Sequence, residues 1–101
     1  MNPRFLSLIS LTMKAGKLLT GETSAVNSLR NGSAALVIVA GDASDNTKKK
    51  FVNKCFYYNI PSIICGSKAT LSKCAGRENR SVFAVTDVNL AKRLISLQEN
   101  E

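Results

Sequence analysis

The 101-residue sequence has no histidine and only three cysteines. Without histidine, the chain lacks the side chain that most often acts as a general base, activates a nucleophile or binds a metal near neutral pH. Cys55, Cys65 and Cys74 are odd in number, form no CxxC pair and stand among apolar residues. This pattern predicts buried thiols in a reducing compartment rather than a disulfide framework or a structural zinc site. We therefore expect neither a metal nor a cofactor.

The apolar segment nearest the N-terminus, Phe5–Leu11, is too short to cross a membrane. A membrane-spanning helix needs roughly 20 apolar residues. Only Arg4 supplies positive charge before the segment, and no small-residue cleavage site follows it, so it predicts a helix face rather than a signal peptide. We expect a cytoplasmic protein without a membrane partner.

Motifs of common enzymes are also missing. The sequence contains no GxGxxG after a strand-like segment, no GxxxxGK[ST] and no GxSxG. Asp42 and Asp45 follow the most apolar segment, where a magnesium-dependent phosphoacceptor site would lie in an α/β protein. A solvated loop and a helix start explain the same residues, and we favour that interpretation. No catalytic residue is predicted, and we expect the protein not to be an enzyme.

Positive charge is what the sequence has in excess. Fourteen lysines and arginines stand against seven acidic residues, giving a formal net charge of +7. Such an excess favours a polyanionic partner, most simply nucleic acid. The six aromatic residues lie mostly at core-like positions in the pattern, which argues against a stacking platform for single strands.

Apolar residues recur with helical and strand spacing in turn, without a linker, which predicts one domain over residues 1–101. A first helix begins around Phe5 and ends at Gly16, and a second ends at Asn31-Gly32. Strands are predicted at residues 17–19, 34–40, 62–65 and 82–85, and the second of these is apolar enough to be buried on both faces.

Three further helices follow the later strands. Asp45 or Asn46 is predicted to cap the first of these, which ends before Pro61. Ser67 and Asp87 are predicted to cap the other two, and the polar tail from residue 98 onward is expected to fray. The apolar stripe predicted for the helix before Pro61 consists of Phe51, Val52, Cys55, Phe56 and Tyr58.

Strands that alternate with helices predict an α/β fold. Because the strands are apolar on both faces, each face of the sheet needs a cover of helices. The predicted architecture is therefore a three-layer α-β-α sandwich with a small mixed sheet of about four strands.

Two features of the sequence bear on where a polyanion would bind, a helix start and a run of lysines. Gly21 and Glu22 stand at the start of the second predicted helix, where free backbone N–H groups and the positive end of the helix dipole favour a phosphate or a base edge. The lysine run at residues 48–50 is interpreted instead as a solvated helix face elsewhere on the molecule.

Several short motifs occur in an order that is characteristic of a known family. The motifs are Ala15-Gly16-Lys17 followed by Gly21, Leu36–Ala40 followed by Asp42-Ala43-Ser44, Ile60-Pro61, and Ser67-Lys68 followed by Leu71, Lys73 and Gly76. In this order and spacing, from about Phe5 to Leu97, the chain resembles the kink-turn-binding ribosomal protein family of the archaeal large subunit. It looks closest to the bacterial YlxQ-like branch of that family.

The resemblance implies a compact α-β-α sandwich that binds structured RNA, either a kink-turn or ribosomal RNA, as an accessory protein of the ribosome or of translation. In the family, the start of the second helix enters the groove at the kink, and the loop before the last strand packs on an extruded nucleotide. Nothing in the sequence demands a dimer, so we expect a monomer. The implied RNA-binding residues are Lys17, Gly21, Glu22, Thr23, Ser24, Asn27 and Arg30, together with Arg77, Glu78, Asn79 and Arg80 in the loop.

The chain departs from the archaeal pattern at the second helix. That pattern has Asn-Glu in the first helical turn and Lys three residues after the Glu, whereas this sequence has Thr23, Ser24 and Asn27. Hydroxyl and amide groups still form hydrogen bonds to base edges, but the charged pair is missing. We therefore expect weaker kink-turn binding or a different RNA target. The alternative is a protein-interaction module on the same fold that has lost tight RNA binding.

Overall fold

The computed structural model describes residues 2–99, which form five helices and four strands. The helices are α1 (Pro3–Lys14), α2 (Glu22–Arg30), α3 (Asp45–Tyr58), α4 (Lys68–Cys74) and α5 (Val88–Glu99). The strands are β1 (Leu18–Thr20), β2 (Leu36–Ala40), β3 (Ser62–Cys65) and β4 (Val82–Val85). Their order along the chain agrees with the order predicted from the sequence.

The four strands form one mixed sheet in the order β1-β4-β2-β3. β4 runs antiparallel to both β1 and β2, whereas β3 runs parallel to β2. All five residues of β2 are buried, as expected for a central strand with helices on both faces.

Helices cover both faces of this sheet. On one face, α1, α4 and α5 pack with residues such as Phe5, Leu71 and Leu94 against Ile38 and Phe83 of the sheet. On the other face, α2 and α3 contribute a second cluster. The members of that cluster are Ala25, Leu29, Ala34, Val37, Val39, Ala43, Phe51, Cys55, Val82 and Ala84. The predicted α/β fold with three layers and a mixed sheet of four strands is confirmed.

Most helix ends form where the sequence predicts them, but the start of α3 does not. The Ser67 hydroxyl accepts the N–H of Thr70 at 3.1 Å, and the Asp87 carboxylate accepts the N–H of Leu90 at 2.9 Å. For α3 the cap is Ser44, whose hydroxyl accepts the Thr47 N–H at 3.1 Å. The prediction of Asp45 or Asn46 as the cap was wrong, because the helix already begins at Asp45 and the Ser44 hydroxyl takes the free N–H of Thr47.

The apolar stripe predicted for α3 is only half correct. Phe51 and Cys55 are buried, and burial raises the pKa of the Cys55 thiol to about 11. Val52 is exposed, however, and Phe56 is 86% exposed. Tyr57, which follows, is 80% exposed and contacts Tyr58 edge-on at 4.9 Å between ring centroids. Phe5, Phe51 and Phe83 are buried and Tyr58 packs against the core, so most aromatic residues lie at core positions as expected, and Phe56 and Tyr57 are the exceptions.

Two further expectations concern the chain as a whole. Among residues 2–99, no helix combines the length and the apolar character that a bilayer crossing requires. Residues 98 and 99, the start of the polar tail expected to fray, form the last residues of α5. The last two residues of that tail lie outside the described part of the chain.

Candidate nucleic-acid interface

The connections that follow β1, β2 and β3 meet the loop that precedes β4 at a single end of the sheet. The Gly21 N–H, directly after β1, donates to the Val82 carbonyl at 2.8 Å. The Ala40 N–H at the end of β2 donates to the Ser81 carbonyl at 2.8 Å, and the Gly41 N–H donates to the Gly66 carbonyl at 2.9 Å. We call this the loop end of the sheet. It brings the start of α2 next to the loop of residues 77–81.

Gly21 forms the junction between β1 and α2. Its φ of 97° and ψ of 158° lie in a region that is essentially restricted to glycine. A Cβ atom added there would meet nothing within 4 Å, so the space in front of the helix start is open. Since glycine provides no side-chain cap, the first turn of α2 presents its backbone N–H groups toward that space.

The exposed side of α2 carries the polar residues predicted for the site. Thr23, Asn27 and Arg30 follow one another at helical spacing, while Ala25, Ser28 and Leu29 are buried on the opposite side. A shallow recess of about 230 Å³ lies along this face. Its lining residues are Glu22, Thr23, Val26, Asn27, Arg30 and Lys50. Ser24 is half-buried and does not line the recess.

Lys50 belongs to this site, although the sequence interpretation placed it on a separate solvated face. Its Nζ lies 3.4 Å from the Glu22 Oε1 and 5.6 Å from the centroid of the Phe51 ring. The contact joins α3 to the first turn of α2. Both side chains of the pair are about half exposed, so the ion pair adds little to stability but holds a cation beside the recess.

The loop of residues 77–80 forms a second recess of about 490 Å³ against α4. Ser72, which is buried, holds the loop in place: its hydroxyl accepts the Arg80 N–H at 2.8 Å and donates to the Arg80 carbonyl at 3.0 Å. Asn79 adopts a left-handed conformation with a φ of 54°. The lining residues are Ala69, Ser72, Lys73, Gly76, Arg77, Glu78 and Asn79.

Lys17 lies away from these two recesses. Its carbonyl accepts the Thr86 N–H at 2.9 Å, at the end of the sheet opposite to Gly21. Three residues of extended chain lie between Lys17 and Gly21, so the four steps from one to the other span about 13 Å. The expectation that Lys17 stands near the same edge as the start of α2 was wrong, because β1 lies between the two residues and places them at opposite ends of the sheet.

The two aspartates considered for a phosphoacceptor site have structural roles. The Asp42 carboxylate accepts the Lys68 N–H at 2.8 Å and so ties the loop after β2 to the start of α4. Asp45 is the first residue of α3. Within the part of the chain that the structure describes, no group of three or more acidic or cysteine side chains is arranged to hold a metal ion.

The loop end therefore combines three kinds of groups that suit a folded polyanion. Backbone N–H groups stand at the start of α2, and hydroxyl and amide groups line its exposed face. Arg30, Arg77 and Arg80 are exposed. Lys50 and Lys73, which the sequence reasoning did not select, add cations at the two recesses. Groups of these kinds bind phosphates and the edges of unstacked bases in complexes of proteins with nucleic acids.

The architecture is that of a three-layer α-β-α sandwich that carries polar and cationic groups at the loop end of its mixed sheet. The chain belongs to the ribosomal protein L7Ae/L30e/S12e/Gadd45 family, whose sequence pattern matches residues 4–95. This membership confirms the resemblance described from the sequence. RNA-binding members of the family are non-enzymatic binders, so the expectation that the protein is not an enzyme is confirmed as well.

Individual relatives agree with the family assignment. The chain is 43% identical over 90 residues to the RNA-binding protein YlxQ of Bacillus subtilis, covering 89% of this chain and 90% of that protein. The YlxQ protein of Enterococcus faecium is 43% identical over 94 residues, covering 93% and 90%. A protein of unknown function from Bacillus halodurans superposes with a TM-score of 0.92 at 38% identity, covering 95% and 97%.

A more distant solved structure shares the fold. The 15.5 kD RNA-binding protein of Giardia lamblia superposes with a TM-score of 0.80, covering 99% of this chain and 92% of its own. Its sequence is 21% identical, so this likeness concerns the architecture alone.

Proposed function

We propose that the protein is a non-catalytic RNA-binding protein that recognises structured RNA of the kink-turn type. It contacts the RNA with the start of α2 and the loop of residues 77–80. The relatives named YlxQ are described as RNA-binding proteins and align along most of the chain, which supports an RNA partner. We further propose that the protein acts as a monomer in the cytoplasm, as an accessory factor of the ribosome or of translation.

The observation that carries this proposal is the hydrogen bond from Gly21 to Val82. It joins the uncapped start of α2 to the end of the 77–81 loop, so one ligand can contact both recesses. Proteins recognise folded RNA mainly through bulges, unstacked bases and backbone shape. A helix start that presents N–H groups can donate hydrogen bonds to the base edges and phosphates of a kink. The arginines of the loop can bind the phosphates of the RNA strand that leaves the kink.

Photocrosslinking in cells tests this arrangement. A photoreactive amino acid replaces Asn27 on α2, and a matched variant carries the same group at Val88, which is 60% exposed on α5 in the opposite layer. We expect RNA adducts at position 27 and none at position 88. Sequencing of the crosslinked RNA then identifies the target. Equal RNA adducts at both positions would contradict a specific interface on α2.

The second candidate function is a protein-interaction module on the same fold. It is favoured by the missing acid–lysine pair on α2, where Thr23, Ser24 and Asn27 stand. Purification of the protein with its partners, with and without ribonuclease treatment, separates the two functions. Partners that survive ribonuclease favour the protein module, whereas partners lost on digestion favour the RNA-binding function.

A further inference from the structure

β3 forms an edge of the sheet, with one side turned to solvent. The carbonyl groups of Pro61 and Cys65 accept the N–H groups of Val37 and Gly41, each at 3.1 Å, so these alternate residues face β2. Successive peptide groups of a strand point to opposite sides. The backbone N–H and C=O groups of Ser62 and Ile64 therefore point away from the sheet, where an added strand could pair with them.

One apolar side chain of β3, that of Ile64, lies beside this outer edge. Ile64 pairs in register with Val39, which belongs to the cluster under α2 and α3, so the Ile64 side chain lies on the same face. It is 43% exposed. No charged residue or proline lies within the strand, although such residues commonly protect an edge from pairing.

Two residues of α3 extend this apolar surface. α2 packs over β1 and β4, whereas α3 packs over β2 and β3. Lys50 contacts Glu22 and therefore marks the flank of α3 that faces α2. Lys50 comes one position before a buried residue of α3, whereas Val52 and Phe56 each come one position after one. Because one position turns a helix by about 100°, Val52 and Phe56 lie on the opposite flank from Lys50, above β3. We call Val52, Phe56 and Ile64 the β3-edge strip.

Charge limits what can cover the strip. Lys48 and Lys49 precede Val52 by four and three residues and share its flank, while Asp45 lies one turn further back. A second copy of this chain would place its own Lys48 and Lys49 near those of the first copy, and both copies carry a net charge of +7, so the two copies would repel each other. The positive charge of these lysines attracts an acidic partner instead.

We propose that the β3-edge strip binds an extended, acidic and apolar segment of another protein, which adds a strand beside β3. Its backbone pairs with Ser62 and Ile64, and its apolar side chains pack on Val52, Phe56 and Ile64. Its acidic side chains face Lys48 and Lys49. The strip and the α2 recess lie on opposite flanks of α3, so this inference does not depend on the proposed RNA site.

Nuclear magnetic resonance of the labelled full-length chain tests the proposal with two synthetic heptapeptides. One has the sequence Val-Thr-Val-Thr-Glu-Thr-Glu, so that its valines and glutamates point to one face of the added strand, and the other has lysine in place of each glutamate. We expect the glutamate peptide to shift the amide signals of Ser62 and Ile64 in a saturable manner and the lysine peptide to bind at least about tenfold more weakly. Phe56→Ser should reduce the affinity for the glutamate peptide about tenfold, whereas Val88→Ser, at an exposed residue of the other layer, should not.

Several outcomes would overturn the proposal. These are the absence of saturable shifts, shifts confined to residues away from β3, and equal binding of the two peptides. Unchanged affinity of a glutamate peptide methylated on alternate backbone nitrogens would exclude strand addition. Sedimentation that shows a dimer lost in Phe56→Ser would assign the strip to a second copy. Saturable shifts of the Ile64 signal by an unstructured RNA oligonucleotide, with competition against the peptide, would assign it to nucleic acid.

Discussion

The N–H of Gly21 donates a 2.8 Å hydrogen bond to the carbonyl of Val82, and this contact joins the start of α2 to the loop that precedes β4. The two recesses of the candidate interface are therefore parts of one surface. Since β4 also pairs with β2, the junction rests on the most buried strand of the sheet. The start of α2 is thus anchored to the centre of the sheet.

Replacement of Gly21 by alanine should reduce both stability and RNA affinity. The backbone conformation at Gly21 costs a non-glycine residue about 1 to 3 kcal/mol, and its relaxation would displace the first turn of α2. Urea denaturation measures the first effect, and RNA titration measures the second. Gly32→Ala is the matched control, because Gly32 also has a positive φ of 80° but follows the far end of α2. It should lower stability and leave RNA affinity unchanged; an equal loss of affinity in both variants would contradict the role of Gly21.

Cations of the α2 recess and of the 77–80 loop should determine the salt dependence of RNA binding. Arg80→Ala and Lys50→Ala should each weaken binding and reduce the slope of log affinity against log salt by about 0.7 to 1, as expected for one lost phosphate contact. Lys17→Ala removes the same charge at the opposite end of β1 and should leave the slope nearly unchanged. Titrations at several salt concentrations measure these slopes. A slope that changes only in Lys17→Ala would place the RNA at the other end of the sheet.

Ser72 should act as a positioning residue for the loop. Ser72→Ala leaves both the N–H and the carbonyl of Arg80 without their partner, which should cost about 1 to 3 kcal/mol of stability. Hydrogen exchange of the Arg80 amide should accelerate, and RNA affinity should fall. The control is Ser28→Ala, because the Ser28 hydroxyl is equally buried but donates only to Ala25 of its own helix at 2.7 Å. Unchanged exchange at Arg80 in Ser72→Ala would show that the loop holds its shape without this contact.

The buried Cys55 thiol should make stability fall in alkaline solution. Its pKa is raised from 9.0 to about 11, so the folded state keeps the proton after the unfolded state has lost it. This contribution to stability is complete below about pH 9 and is lost as the pH rises toward about 11. Denaturation of the wild type and of Cys55→Ala at several pH values measures it. The variant should lose less stability over this interval, and parallel curves would contradict the assignment.

The sequence was sufficient for the layers and for the caps of α4 and α5 because these depend on local pattern. The continuous apolar run of β2 predicted a central strand. The residue types of Ser67 and Asp87 predicted helix starts, and their side chains form the expected hydrogen bonds to backbone N–H groups. The strand order β1-β4-β2-β3 was not predictable, because it depends on pairing between distant segments. Apolar spacing alone also failed for Phe56, since helical periodicity cannot tell which flank of a helix reaches past the edge of the sheet.

The same limit applies to the candidate site. Glycine at the start of α2 and the arginines of the 77–80 loop were identifiable from residue type and order. Lys50 was not, because its place beside Glu22 depends on how α2 and α3 pack. Ser72 was hidden in a pattern that predicts an ordinary buried helix position next to Leu71. Lys17 was assigned too close to Gly21 although a short strand was predicted at residues 17–19, because the sequence pattern does not show that this strand carries the two residues to opposite ends of the sheet.

The most direct test of the proposed function is a titration with a kink-turn RNA and with the same RNA straightened by full base pairing, at one fixed salt concentration. We expect tighter binding of the kinked RNA, since the start of α2 and the 77–80 loop suit a bend with unstacked bases rather than a regular helix. The preference should decrease in Gly21→Ala and persist in Gly32→Ala. Equal affinity of the wild-type protein for the two RNAs would contradict recognition of the kink.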